Sequence, residues 1–131
     1  MGEDGVGARG VPQAPVPVAV ARVLAFVPDL LFGSSVVTSL EGAGHRVSLV
    51  SELAGTDPAA VDLLVVDLTA DPEARIGAVQ SAGFRDAKTL AFYSHVEQEV
   101  RALAEGAGFD LVVPRSRMAR EGPELVARLS V

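Results

Sequence analysis

The sequence predicts a small three-layer α/β domain, a parallel sheet of five strands with helices on both faces. Five short β-rich runs recur along the chain, at Val23–Val27, Val47–Val50, Leu63–Val66, Thr89–Tyr93 and Leu111–Val113. They are almost continuously apolar, as strands buried on both faces are, and not alternating. Most of the segments between them carry apolar residues at helical spacing, and strands that alternate with helices close into a parallel sheet through crossover connections. The length agrees: the chain has 131 residues, and the roughly 110 that come after a proline-rich start suffice for one domain with a real core.

Taken in order, residues 1–20 hold three prolines and a run of glycines without an apolar period, the composition of a disordered N-terminal tail. They do not read as a secretory signal, because Glu3 and Asp4 stand where positive charge belongs and prolines interrupt the residues beyond them. No apolar run approaches the ~18 residues of a membrane span, so a cytoplasmic protein without membrane insertion is expected. The domain proper is expected over residues 21–131. After the first strand, Leu30, Gly33, Val37 and Leu40 form a helical stripe that stops at Gly42–Gly44. The second crossover, Glu52–Val61, is the shortest and has the weakest pattern. In the third, Asp71-Pro72-Glu73 looks like an N-cap, a proline at the first helical position and a first-turn acid, ahead of Ile76, Val79 and a stop at Gly83. Val96, Val100, Leu103 and Ala107 line the next helix, ending at Gly108, and the last runs from about Arg117 to Leu129 with Met118, Leu125 and Leu129 on one face.

Composition narrows the chemistry. The chain has no cysteine, which excludes disulfides and zinc–thiolate sites. Its net charge is −6, so it lacks the concentrated basic face a nucleic-acid module uses to displace counterions. Two histidines and one tyrosine leave few general bases. No nucleophile–base pair, carboxylate dyad, phosphate-binding glycine loop or dinucleotide fingerprint is visible. The expectation is a binding module and not an enzyme.

In open parallel sheets the site lies outside the carboxyl ends of the strands. That rule selects Asp29 after strand 1, Ser51 and Glu52 after strand 2, Asp67, Thr69 and Asp71 after strand 3, Ser94 and His95 after strand 4, and Arg115 after strand 5. His95 is read as exposed. His45 falls at the opposite end of the sheet and is read as structural. Arg115, Arg117 and Arg120 gather at the start of the last helix, an anion site in principle. Glu121 and Glu124 come within a turn of them, so a solvated salt-bridged face is the competing reading.

The runs VDLLVVDLTADPEA (Val61–Ala74) and KTLAFYSHVEQEVRALAEGAGFDLVV (Lys88–Val113) resemble the second half of a response-regulator receiver domain. The likeness extends over about residues 22–131 in length and element order. It implies a flavodoxin-like (βα)5 fold with strand order 2-1-3-4-5. It also implies that Asp67 falls on the phosphoacceptor aspartate and Ser94 on the switch hydroxyl. Receivers hold Mg²⁺ with an acidic pair after strand 1; here Val27 and Pro28 stand at the pair and Asp29 comes one step later, so Asp29 with Asp67 makes at most a weak Mg²⁺ pocket and no cofactor is expected. The lysine that receivers carry after strand 5 is Pro114, and the only lysine, Lys88, opens strand 4. Arg115 starts one residue late and is expected on the other side of the strand. The strand-5 aromatic is Leu111, and His95 replaces the small residue after the switch hydroxyl. Cobalamin-binding and flavodoxin families fit less well, since Pro28–Gly33 offers neither a histidine nor an early hydroxyl.

Each matched residue also has a plain structural reading: Asp67 as a cap for the Thr69–Asp71 turn, Ser94 as an N-cap for the helix beginning near Val96. The resemblance with its losses implies a degenerate receiver, a pseudo-receiver, that signals through protein–protein contact without regulated phosphorylation. The alternatives are an atypical receiver phosphorylated at Asp67 and a small anion- or nucleotide-binding sensor. Receivers commonly pair through the face of helix 4, strand 5 and helix 5, here Val96 to Leu129. A signalling protein partner, or a homodimer through that face, is therefore expected.

Overall fold

A computed structural model describes residues 20–94 and 97–130; residues 1–19 of the expected tail, His95 and Val96 lie outside the described residues. Five strands form one sheet: β1 (Arg22–Phe26), β2 (Arg46–Val50), β3 (Leu63–Asp67), β4 (Lys88–Tyr93) and β5 (Leu111–Pro114). Its order is β2-β1-β3-β4-β5, every pair parallel, which is the expected 2-1-3-4-5 topology. The helices are α1 (Leu30–Gly42), α2 (Pro72–Ala82), α3 (Gln98–Gly106) and α4 (Arg115–Leu129).

Alternation of side chains along each strand sends one set to each face. Val23, Ala25, Leu63, Val65, Leu90, Phe92 and Val113 pack beneath α1 and α4, against Val36, Leu40, Met118, Leu125 and Val126. The intervening Leu24, Phe26, Leu64, Val66, Ala91, Tyr93 and Val112 pack beneath α2 and α3, against Ile76, Val79, Val100 and Ala104. Both sets are buried, which is why the strands read as apolar runs without a polar face.

Four local expectations are corrected. The buried stripe of α1 is Gly33, Val36 and Leu40, whereas Leu30 is 70% exposed and Val37 only half-buried. Gly33 is level with the end of β1: a Cβ there would stand 2.8 Å from Leu49 Cδ1 and 3.3 Å from the Val27 carbonyl oxygen. The first turn, with Leu30 and Leu31, therefore overhangs the end of the sheet. The second crossover forms only a 3₁₀ turn, Pro58–Ala60, capped by the Asp57 carboxylate on Ala59 N–H. Gly55, at φ 81°, turns the chain just before Pro58, so the segment is too short and interrupted for an α-helix. Asp71 is the N-cap residue of α2, with Pro72 and Glu73 following as expected, but its side chain makes no capping bond; it sits in the left-handed region at φ 47°, ψ 51°. A proline at position 72 disfavours the ordinary helical basin for the residue before it. Finally, α3 begins at Gln98, so its capping position is Glu97 and not Ser94.

At the amino ends of the strands, Asp110 fixes β4 against β5. Its carboxylate accepts from Thr89 N–H (2.8 Å) and Thr89 Oγ (3.1 Å), while Asp110 N–H donates to Thr89 Oγ (2.9 Å). His45 is buried there, its Nδ1 accepting from Ala21 N–H at 3.0 Å.

Candidate functional site

The carboxyl ends of β1, β3 and β4 and the start of α4 supply the polar residues singled out in the sequence. Asp67 is the last residue of β3 and is 3% exposed. Its Oδ1 accepts from the backbone N–H of Thr69 at 2.8 Å and from Thr69 Oγ at 2.5 Å. This is an Asx turn: a side-chain oxygen takes the place of a backbone carbonyl two residues back and closes the loop. The structural reading of Asp67 as a turn cap thus has a geometric basis in Thr69.

Its other oxygen meets a residue that the sequence reading did not single out. Arg75 Nη1 lies 3.7 Å from Asp67 Oδ2 and donates to the Asp67 carbonyl oxygen at 2.8 Å. Its guanidinium carbon stands 6.0 Å from the centre of the Phe26 ring at the end of β1. The available signal was positional. Arg75 is in the first turn of a helix that starts just after the β3 loop, and side chains on a helix lean toward its N-terminus, here back toward the strand ends.

Asp29 has different partners. It is the N-cap of α1, with Oδ1 accepting from Leu31 N–H (3.1 Å) and Phe32 N–H (3.2 Å). Its Oδ2 faces Arg115 Nη2 at 3.4 Å. Arg115, the first residue of α4, lies over Phe32, its guanidinium carbon 4.3 Å from the ring centre, and Phe32 in turn packs on Phe92 with centroids 4.9 Å apart. Arg115 is therefore turned to the α1 side, held by a carboxylate and an aromatic face.

The remaining arginines of the expected anion site share one carboxylate. Arg117 Nε lies 3.5 Å from Glu121 Oε1, and Arg120 Nη2 lies 3.4 Å from Glu121 Oε2. Glu121 leaves helical geometry (φ −125°, ψ 17°) two residues before Pro123, whose missing N–H and ring disrupt the preceding turn. All three arginines meet carboxylates: Asp29 for Arg115, Glu121 for Arg117 and Arg120. That is the arrangement of a salt-bridged face, with two carboxylates for three guanidinium groups. Ser94, half-buried after β4, accepts the Glu97 N–H on its carbonyl at 2.9 Å.

The receiver resemblance implies Mg²⁺ held by Asp29 and Asp67. The residues do not fit that role. The Asp29 carboxylate is taken by the α1 cap and Arg115, and that of Asp67 by Thr69 and Arg75. Among the described residues no three His, Asp or Glu side chains converge to hold a metal.

Topology and the position of the site together define the receiver-type fold. Among solved structures, a response regulator from Thermotoga maritima superposes with a TM-score of 0.71 at 16% identity, over 86% of this chain and 98% of that one. The non-phosphorylated HemR receiver domain from Leptospira biflexa gives 0.69 at 20% identity over 84% and 94%. A chemotaxis protein from Vibrio cholerae gives 0.68 at 17% identity over 85% and 99%. No protein-family model matches the sequence, and no curated protein does. The chain has the receiver fold with a sequence only 16–20% identical to these neighbours. Among the described residues no helix is long and apolar enough to cross a membrane.

Proposed function

We propose that the chain is a pseudo-receiver: a signalling module that acts through protein–protein contact without regulated phosphorylation and without enzymatic activity of its own. The observation that carries this is the occupation of Asp29. Phosphoryl transfer to a carboxylate depends on neutralising the charge of the transferred group, through a metal and a second cation. In this chain the acid nearest the metal position closes the N-terminus of α1 and pairs with Arg115. Pro114 stands at the lysine position, and Arg115 is turned to Asp29 and Phe32 on the α1 side. Asp67 keeps the location of a phosphoacceptor but lacks the groups that would make it one.

The expected contact surface is the face of α3, β5 and α4, where Leu103 is 43% exposed on α3, toward a signalling protein partner or a second copy. The location of Asp67 at the end of β3, with Ser94 after β4, is what favours the second reading, an atypical receiver phosphorylated at Asp67. Incubation of the full chain with acetyl phosphate, or with Mg²⁺ and beryllofluoride, tests the two. The expected result is no adduct by intact mass and no change in thermal midpoint. An adduct that disappears in Asp67→Asn would overturn the pseudo-receiver reading. Stabilisation by a nucleotide but not by these reagents would point to the anion or nucleotide sensor.

A further inference from the structure

The charge that a metal would neutralise at Asp67 is already met from within the chain. Arg75 reaches the end of β3 from the first turn of α2, and both side chains are withdrawn from solvent, 15% and 4% exposed. One nitrogen, Nη1, donates to the Asp67 carbonyl oxygen at 2.8 Å and lies 3.7 Å from Oδ2, facing a backbone and a side-chain oxygen of the same residue. Its guanidinium carbon stands 6.0 Å from the centre of the Phe26 ring, and α2 starts directly after the left-handed turn at Asp71. With Oδ1 on Thr69, both carboxylate oxygens have a partner.

We propose that Arg75 is a built-in counter-ion for Asp67, which closes the loop between β3 and α2 permanently and keeps divalent cations out of the site. The inference deepens the pseudo-receiver reading and rests on it. Hard divalent cations are bound by carboxylate and carbonyl oxygens, and Arg75 covers one of each. Without the guanidinium, the Asp67 carboxylate is left without a counter-charge, which a divalent cation can supply. The ion pair is largely buried and little screened by salt, so the closed loop depends only weakly on ionic strength.

The test uses the full chain and Mn²⁺ followed by electron paramagnetic resonance. Arg75→Met keeps most of the packing on Phe26 and removes the charge. Its Mn²⁺ affinity is expected to rise about ten- to a hundredfold over wild type, and the gain should vanish in the Asp67→Asn/Arg75→Met double variant. Arg75→Lys retains a cation and should stay near the wild-type affinity. Equal affinity in wild type and Arg75→Met overturns the proposal, as does a gain that survives Asp67→Asn. Thermal midpoints cover the case in which Arg75→Met folds poorly. The double variant buries no unpaired charge and should recover part of the loss; failure to recover any of it would make Arg75 a packing residue and overturn the proposal. The two readings fail separately. A phosphoryl or beryllofluoride adduct on wild-type Asp67 removes the pseudo-receiver whatever Arg75→Met does, and an unchanged Mn²⁺ affinity removes the counter-ion whatever the adduct experiment shows.

Discussion

Substitution of Asp29 separates a helix cap from a metal ligand, because the two roles make different demands on the same side chain. As a cap, Asp29 accepts two backbone N–H groups on Oδ1, and its Oδ2 makes a half-exposed ion pair of 3.4 Å. An asparagine keeps a capping oxygen and loses only the charge; an alanine loses both. Removal of an N-cap costs about 1 kcal/mol, within a range of roughly 0.5–2. The charge at a helix N-terminus adds about 0.3–1 kcal/mol, and an exposed pair of this kind contributes about 0–1 kcal/mol. Asp29→Ala is therefore expected to lose about 1–2 kcal/mol and Asp29→Asn about 0.5 kcal/mol. Urea unfolding in the presence and absence of millimolar Mg²⁺ measures both, with the slope of the transition expected to stay constant. A metal ligand behaves otherwise: wild type would gain stability with Mg²⁺ through mass action, and Asp29→Asn would abolish that gain. The capping argument is refuted if Asp29→Asn is as damaging as Asp29→Ala, or if Mg²⁺ stabilises wild type and not Asp29→Asn.

Three further outcomes are expected. Asp110→Ala leaves the Thr89 N–H and hydroxyl without their carboxylate in a part-buried site and should cost about 2–3 kcal/mol, with Asp110→Asn costing less, both by chemical denaturation. The Arg22 guanidinium, hydrogen-bonded to Asp62, holds the Asp62 carboxyl down at about 2. A depressed carboxylate contributes stability that is complete above the unfolded-state value near 3.9 and is lost as pH falls from there toward 2. Because the pair is exposed, the expected effect is small, about 1–2 °C in the difference between the wild-type and Asp62→Asn melting curves across that window; parallel curves would show that the pair is not linked to folding. Gly33→Val places a branched side chain where a Cβ alone would meet Leu49 at 2.8 Å and the Val27 carbonyl at 3.3 Å. It should cost about 1–3 kcal/mol by overpacking, and a stable, unshifted variant would show that α1 can lift from the sheet freely.

The architecture was legible in the sequence because it rests on repeated local signals. The runs around Leu63–Val66 and Thr89–Tyr93 were apolar on both faces, as strands of a sheet covered on both sides are, and the observed β3 and β4 differ from them by one terminal residue each. The glycine stops after α1 and α2, and the polar residues at strand ends, were equally local. The second crossover was less legible: Leu53 is its sole residue buried below a tenth, and one anchor sets no period. The face of α1 was misread because Leu30 and Val37 match a helical stripe as well as Val36 does, and only the end of the sheet decides that the first turn overhangs it.

What the sequence determined by itself is the set of groups available: one lysine, placed at the start of β4, no acidic pair directly after β1, an aspartate closing β3, a serine just past β4. What only the tertiary structure decided is which group each charge meets. Asp29 turned to its own helix and to Arg115 across the chain, and Asp67 to Thr69 and Arg75, because the carboxylate of a strand-end residue has several partners within reach of its loop. Their choice depends on how α1, α2 and α4 sit over the sheet. Periodicity records which side of a strand or helix is buried; ion pairs between residues 8 and 86 positions apart are set by packing of the elements that carry them, and that information is not present in any single segment.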